Sequence, residues 1–408
     1  MKILFVMHDV PFPSSSGRRT RNLSLLRAIQ KEGHEVSILA FGEVSELIEA
    51  REGLGDLCVD LEIVPQPGGF ARVGPIGRMR ALFSDLPYGA WRMRSKAMAA
   101  LAKGRVATKE FDLVICDDVY QIENLPAVSD TAVILNKHTI VFEEFERFLQ
   151  LERNLLVRAY GRTELAKLRR LEMKTAQQVA AVWPCSERDR RILLGANTKV
   201  PSPVVPNAID AAGFASASCD DGRTLLYVGA MDWLPNRDAV EFFAFEIMPK
   251  VCALIPQAEF LVAGREPPSR FRRKIERIPH ITFTGTLPDL RPTIANSAIC
   301  VVPLRIGSGT RLKILEAAAS AKAIVSTTIG AEGLDLVDGT EILIADDAAD
   351  FAEAVASLLS SRERRVAMGK KARERVLSEY SLPALQRAVH TALSDTREQP
   401  FGYNAVSA

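Results

Sequence analysis

Val302-Pro303-Leu304-Arg305-Ile306-Gly307-Ser308-Gly309-Thr310-Arg311-Leu312-Lys313-Ile314-Leu315-Glu316-Ala317 is the stretch that decides the fold class of this chain. An apolar run, Ile299–Val302, ends at Pro303, a Gly-Ser-Gly loop follows, and a helical pattern opens near Thr310. Strand, glycine loop and helix in that order form the unit of parallel α/β architecture. Unpaired backbone N–H groups and the helix dipole make such a helix start an anion site. Arg305, Arg311 and Lys313 add the cationic donors a diphosphate requires. Glu316, one turn beyond Lys313, is placed to accept hydrogen bonds from ribose hydroxyls. The same residues also read as a surface helix capped by Thr310 and carrying an i,i+3 Lys–Glu pair. No GxxxxGK[ST] loop occurs, and no GxGxxG follows the first strand, which argues against a dinucleotide cofactor.

Outward from this segment, short apolar runs alternate with helical patterns in both directions. The first half offers strands at Lys2–Met7, Glu35–Phe41, Leu61–Val64, Leu113–Cys116, Ala132–Leu135 and Val179–Trp183. They are apolar on consecutive residues, as strands covered on both faces must be. The second half restarts at Leu225–Val228 and continues with Phe260–Ala263, Ile281–Phe283, Ile299–Val302, Ala323–Ser326 and Ile342–Ile344. Helices are expected near 19–31, 237–254, 310–321, 348–360 and 362–378, with a last one over Leu382–Leu393. A small-residue stretch without periodicity, 211–222, reads as a linker. The expected organisation is an N-terminal domain over 1–210, the linker, a C-terminal domain over 223–381, and a helix and tail over 382–408 that pack back on the first domain. Two Rossmann-like domains facing each other across a cleft would bind ligands at the carboxyl ends of their strands.

A length of 408 residues suits two domains. With 47% hydrophobic and 25% charged residues the composition is globular, and a net charge of +2 excludes a globally basic nucleic-acid binder. The six cysteines are scattered without a CxxC pair, which favours buried free thiols in a reducing compartment. The N-terminal apolar run is too short for a secretory signal, and no run approaches a membrane span, so a cytoplasmic protein is expected.

A set of short motifs in fixed order makes the reading specific. These are Pro11-Phe12-Pro13 through Gly17 with Arg21-Asn22-Leu23, Gly33-His34-Glu35-Val36, Cys185-Ser186-Glu187 with Asp189, and Val205-Pro206-Asn207-Ala208-Ile209-Asp210. Tyr227-Val228-Gly229, Phe283-Thr284-Gly285, the Pro303–Glu316 segment and Gly330-Ala331-Glu332-Gly333 follow in the second half. In these the chain resembles the family 4 retaining glycosyltransferases (glycosyl transferase group 1) of the GT-B fold. The resemblance implies a nucleotide-diphosphate sugar as donor substrate, held mainly by the C-terminal domain, with the acceptor on the N-terminal domain. It implies donor contacts at Gly17, Asn207, Gly229, Gly285, Gly307, Ser308, Gly309, Thr310 and Glu316, and a catalytic group of His138, Lys313 and Arg311. Glu316 matches the second carboxylate of the family's Glu-x7-Glu pair; Ser308 stands where the first belongs. Ala230 replaces the Arg that usually follows the glycine of the C-domain's first strand, which leaves the diphosphate charge to Arg311 and Lys313.

In the first half, the turn Ser14–Gly17 opens a helix beside Arg18, Arg19 and Arg21, and reads either as a phosphate-binding start or as an ordinary capped turn. His138 follows a strand; it is the expected active-site histidine, or else a structural strand-end residue. Lys137 beside it is a candidate for acceptor or phosphate. His8 and Asp9 end the first strand, and His34 reads as structural. No Asp-x-Asp motif is placed to hold a metal, so metal-independent transfer without a cofactor is expected. Residues 71–109 carry nine Arg and Lys against the single acid Asp85, with Phe83, Tyr88 and Trp91 interleaved. Arg78, Arg80, Trp91, Arg92, Arg94 and Lys96 therefore suit an anionic membrane surface or a lipid-diphosphate-linked acceptor, and a solvated helical face is the plainer alternative. They resemble no nucleic-acid module. The combined expectation is a cytoplasmic enzyme, peripheral on the inner face of the plasma membrane, in bacterial exopolysaccharide or cell-envelope glycan synthesis. A GT-B nucleotide-sugar epimerase and a non-catalytic nucleotide-sugar-binding regulator are the rival readings.

Overall fold

The computed structural model describes residues 1–68, 74–126, 128–195, 199–214, 220–397 and 403–404. The chain divides into two compact units, Met1–Asn207 with Leu385–Ala408, and Ala208–Ala384.

In the first unit the strands are β1 (Lys2–Met7), β2 (Glu35–Phe41), β3 (Asp60–Val64), β4 (Leu113–Asp117), the short β5 (Val128–Ser129), β6 (Ala132–Asn136) and β7 (Ala181–Trp183). Six of them form one parallel sheet in the order β3-β2-β1-β4-β6-β7. Phe5 lies in register between Ile38 and Ile115. Five consecutive residues of β1 are buried, because helices cover both faces of the sheet. Fully buried Phe5 and Phe41 each contribute about 1.5–3 kcal/mol of apolar transfer. The connecting helices are α1 (Gly17–Lys31), α2 (Leu47–Leu54), α3 (Gly74–Leu82), α4 (Tyr88–Met93), α5 (Lys96–Ala107), α6 (Val141–Leu151), α7 (Leu155–Gln178) and α8 (Glu187–Leu194). Two strands run one residue past their apolar patterns, so Asp117 and Asn136 sit side by side at the carboxyl end of the sheet. β7 starts two residues late, because Val179 N–H closes the last turn of α7 on Thr175.

The second unit repeats the order: β8 (Thr224–Val228), β9 (Glu259–Ala263), β10 (Ile281–Gly285), β11 (Ile299–Val302), β12 (Ala323–Ser326) and β13 (Leu343–Ile344) form a parallel sheet β10-β9-β8-β11-β12-β13. Its helices are α9 (Leu234–Phe242), α10 (Met248–Leu254), α11 (Ser269–Ile275), α12 (Arg291–Asn296), α13 (Leu312–Ala319), α14 (Thr328–Ala331), α15 (Ala348–Leu359), α16 (Arg362–Glu379) and α17 (Leu382–Arg397), of which α17 crosses into the first unit. β14 (Tyr403–Asn404) pairs with β5. The single helix expected over 237–254 is α9 and α10 joined by a π-helical turn at Phe243–Ile247. Pro249, in the first turn of α10, has no N–H to continue the ladder. That turn packs Phe243 against Phe260 at 4.2 Å and Phe351 at 6.0 Å between ring centroids.

Within 211–222, Ala211–Gly213 forms a 3₁₀ turn, and Ala211 is part of the second unit's core. Asp220 pairs with Arg365 at 2.7 Å, and residues 215–219, Cys219 among them, lie outside the described residues. Gln386 and His390 on α17 bond to Glu32 at 3.1 and 2.6 Å. The described cysteines are free thiols; Cys116, Cys185 and Cys300 are buried, Cys58 and Cys252 half-buried.

Candidate functional site

In the second unit the polar side chains gather where β8 and β11 end. Lys313, on the first turn of α13, donates to the Tyr227 hydroxyl at 2.9 Å and to Asn236 Oδ1 at 3.0 Å, with its ammonium 4.0 Å from the Tyr227 ring centroid. Tyr227 in turn donates to Asn236 Oδ1 at 2.7 Å, and Asn236 Nδ2 is fixed on the Ala230 carbonyl at 2.9 Å. Asn236 thereby orients the lysine from across the sheet edge. Gly229 is the reason it fits: a Cβ there would stand 2.8 Å from the Asn236 side chain. Among the described residues, no carboxylate is hydrogen-bonded to Lys313. Burial, reinforced by the Arg311 charge and opposed by Glu316, lowers its pKa to about 7. Burial likewise raises Glu316 to about 7, against the pull of Lys313. A cation and a carboxyl one turn apart are thus both poised to change charge when a ligand arrives.

The glycine loop is shaped by Arg311. Its guanidinium donates to the Ser308 carbonyl, to that of Gly309 at 2.6 Å and to that of Ile329 at 3.4 Å. Gly307, at φ 143°, adopts a backbone conformation that other residues rarely take, and a Cβ there would also displace the Arg311 guanidinium, whose Nη2 would lie 2.4 Å away. Gly307, Ser308, Gly309 and Thr310 are all buried. Two expectations are corrected. Thr310 does not cap the helix, which starts at Leu312 after an extended Arg311 (φ −98°, ψ 107°). Arg305 does not serve the loop: it makes a bidentate pair with Asp238 at 2.7 and 3.1 Å and lies over the Phe242 ring. Gly285, at φ 70°, ends β10 where a Cβ would meet Glu266 Oε1 at 2.5 Å.

In the first unit, the ends of β1, β4 and β6 build a second polar cluster. His138 Nε2 is held by Asp117 Oδ1, whose other oxygen accepts from Asn22 Nδ2 at 2.9 Å and from the His8 backbone N–H at 3.3 Å. Asp117 is buried, yet the charge and hydrogen bond of His138, with Arg18 nearby, hold its carboxyl well below the usual range. Burial and the Arg18 charge bring His8 down to about 3, so its ring is neutral at physiological pH. Arg18 Nε, at the start of α1, is buried without a hydrogen-bond partner among the described residues. Gly17 opens α1 exposed, and the Ser16 hydroxyl caps the helix by accepting from Arg19 N–H at 3.3 Å. Arg19 pairs with Asp9 at 3.0 Å.

Lys137 is a correction. It is fully buried between Asp118 at 2.6 Å and Glu172 at 2.7 Å, where it joins β6 to α7 and is out of reach of acceptor or phosphate. Arg21 is also internal, donating to Asn136 Oδ1 at 3.0 Å, the Val205 carbonyl at 2.9 Å and Asn207 Oδ1 at 3.1 Å. Asn207 is therefore placed in this network of the first unit. His34 meets the N-terminal amine at 3.2 Å. Asp117 and Asn236 were not singled out from the sequence, and Asn22 only as part of the motif Arg21-Asn22-Leu23; the run Cys116-Asp117-Asp118 at a strand end is the one signal that could have pointed to Asp117.

The basic stretch 71–109 divides. Arg72 lies outside the described residues. Arg105 is neutralised by Asp60 and Glu62, Lys109 by Asp130 at 3.5 Å, and Arg94 approaches Glu123 at 3.9 Å. Trp91 and Arg92 on α4 are half-buried, whereas Arg78 and Arg80 on α3 and Lys96 on α5 are exposed. Among the described residues, no group of His, Cys, Asp and Glu gathers to hold a metal, and no helix is long and apolar enough to cross a membrane.

Two units of this strand order, each with its polar groups at the carboxyl ends of the strands, define the GT-B class of α/β protein. Solved structures agree on the fold. Sucrose-phosphate synthase of Thermosynechococcus elongatus matches with a TM-score of 0.68 at 17% identity, over 98% of this chain and 100% of that one. HepE of Anabaena, in complex with UDP-glucose, matches with a TM-score of 0.65 at 12% identity, over 97% and 100%. Residues 222–361 match the family described as Glycosyl transferases group 1. In sequence the chain is 21% identical over 368 residues to an uncharacterized 44.6 kDa protein in the cps region of Klebsiella pneumoniae, covering 86% of this chain and 89% of that one. It is 26% identical over 165 residues to a component of the phosphatidylinositol N-acetylglucosaminyltransferase of Arabidopsis thaliana, covering 38% and 36%.

Proposed function

We propose that this protein is a retaining glycosyltransferase that moves a sugar from a nucleotide-diphosphate donor to a glycan or lipid-linked acceptor, in the synthesis of a bacterial exopolysaccharide or envelope glycan. The observation that carries this reading is the seat of Lys313. Tyr227 and Asn236 hold a cation beside the Gly307–Gly309 loop with no carboxylate bonded to it among the described residues, and Glu316 stands ready to accept ribose hydroxyls. Such a seat suits an incoming diphosphate, which supplies the missing negative charge. The complex of HepE with UDP-glucose and the cps-region relative support the donor class and the glycan setting.

In this reading the second unit holds the donor and the first holds the acceptor, with His138, fixed by Asp117, at the reacting sugar. The bond from the anomeric carbon to the diphosphate oxygen breaks, and the acceptor oxygen bonds to the same face. The acceptor's proton passes to the departing diphosphate. Lys313 and Arg311 stabilise the charge that develops there, without a metal or cofactor. A lipid-linked acceptor puts the enzyme at the inner face of the plasma membrane.

Lys313→Met tests the central residue. It removes the charge and keeps the volume of the stem, so kcat/KM for the donor should fall by about 10²–10³, the loss typical of one preorganised electrostatic contact. Unchanged turnover in a folded variant would contradict the assignment. A regulator that binds without turnover would lose affinity only.

A further inference from the structure

Apart from Ile48, Val59 and Leu151, the exposed large apolar side chains described in the first unit lie on or beside two neighbouring helices. Phe83, just beyond α3, is 91% exposed; Leu156 and Leu155, at the start of α7, are 82% and 75% exposed. Met79 and Leu82 on α3 and Val157 on α7 are exposed as well. The two helices are joined: Lys167 on α7 donates to the Ala81 and Leu82 carbonyls at 2.8 and 3.3 Å, and Glu164 accepts from Tyr88 N–H just beyond. Lys167 thus caps the carboxyl end of α3 and presents Phe83 beside the α7 surface.

Charge distinguishes this surface from an ordinary solvated face. Residues 153–174 carry seven Arg and Lys against two acids, Glu164 and Glu172. Both acids are buried and engaged, Glu164 by Lys167 and Tyr88, Glu172 by Lys137. Exposed Arg153 and Arg162 and half-exposed Arg158 make no ion pair among the described residues. Farther along α7, Leu165, Ala166 and Met173 floor a shallow hollow of about 420 Å³ edged by Arg162, Arg170 and Arg169, the last of them paired with Glu146 at 3.3 Å. On α3, Arg78 and Arg80 extend the same sign.

We infer that the exposed face of α7, with α3 packed against its middle turns, docks on an anionic lipid bilayer, with Leu155, Leu156 and Phe83 entering the headgroup boundary and the arginines lying on the phosphates. Apolar tips among cations complement the two layers of such a surface. A second copy of the chain would bring the same arginine excess against itself, and a nucleic acid would leave the leucines and Phe83 in water. The inference deepens the reading of a lipid-linked acceptor and rests on it for its purpose, although docking itself requires no donor.

Co-sedimentation of the full chain with vesicles tests it, using phosphatidylcholine alone and phosphatidylcholine with about one third phosphatidylglycerol, at low and high salt. Binding to the anionic vesicles only, weakened at high salt, is the expected result, because each cation near such a surface adds an attraction that salt screens. Arg158→Glu with Arg162→Glu, and separately Leu155→Ser with Leu156→Ser, should each lower the bound fraction about tenfold or more. All four positions are at least partly exposed, so neither pair should disturb folding. No binding to anionic vesicles, equal binding to neutral ones, or undiminished binding in both pairs overturns the inference. So does a wild-type dimer in solution that the leucine pair abolishes, which would assign the surface to a second copy. Vesicle binding without nucleotide release under any acceptor condition would keep the surface and defeat the transferase reading; release without vesicle binding would do the reverse.

Discussion

An ammonium group with a pKa near 7 can change charge on binding, as an exposed lysine cannot. Lys313 lies well below its ordinary 10.5, so the folded chain binds fewer protons than the unfolded chain between about pH 7 and 10.5. By linkage this group makes stability rise with pH across that window. A diphosphate beside it restores the charged form. Donor binding at pH 8 should therefore take up a proton, and affinity should fall as pH rises above 7, by about tenfold per unit at most. Titration calorimetry at pH 8 in buffers of different ionisation enthalpy measures the uptake; none at all would show that Lys313 does not meet the diphosphate. At this scale the sequence exposed Lys313 and Glu316 through their place after a glycine loop. It concealed Asn236 and Asp117, because each acts on a partner far along the chain, 77 residues for Asn236 and Lys313 and 21 for Asp117 and His138.

Elements were more legible than contacts. Runs such as Lys2–Met7 and Ala323–Ser326 are apolar almost without interruption, and a strand buried on both faces has no other way to be written. Where the reading fell short, local chemistry intervened: Pro249 turned one helix into two around a π turn, and polar residues carried β4 and β6 one step past their apolar runs. One such step brings Asp117 to His138. The residues just past the ends of those strands give the Asp118–Lys137–Glu172 triad, which ties β4, β6 and α7 together. Lys137→Met leaves two buried carboxyls without a cation, and should cost about 3–5 kcal/mol. Urea unfolding measures this directly. Adding Glu172→Gln should recover part of the loss, and a Lys137→Met variant as stable as the parent would show that the triad contributes nothing.

For the whole molecule, both units repeat one strand order, and each gathers its polar residues at the carboxyl ends of its strands. That repetition was visible as two series of six apolar runs, and it carried the expectation of two Rossmann-like domains; the GT-B expectation came from the resemblance of the short motifs to a known family. The docking surface was visible only in part. The excess charge of 71–109 drew attention to α3, and ion pairs at Arg105 and Lys109 engage two of the nine cations in that stretch. The arginines of α7 were not singled out from the sequence, where Glu164 and Glu172 lie among them; folding buries both acids. The central claim is transfer from a nucleotide sugar. Its most direct test is release of free nucleoside diphosphate from a panel of nucleotide sugars, with and without a bacterial membrane lipid extract. Release from one donor, increased by the extract and abolished in Lys313→Met, is the predicted result. Failure of the protein to bind or turn over any nucleotide sugar would contradict it.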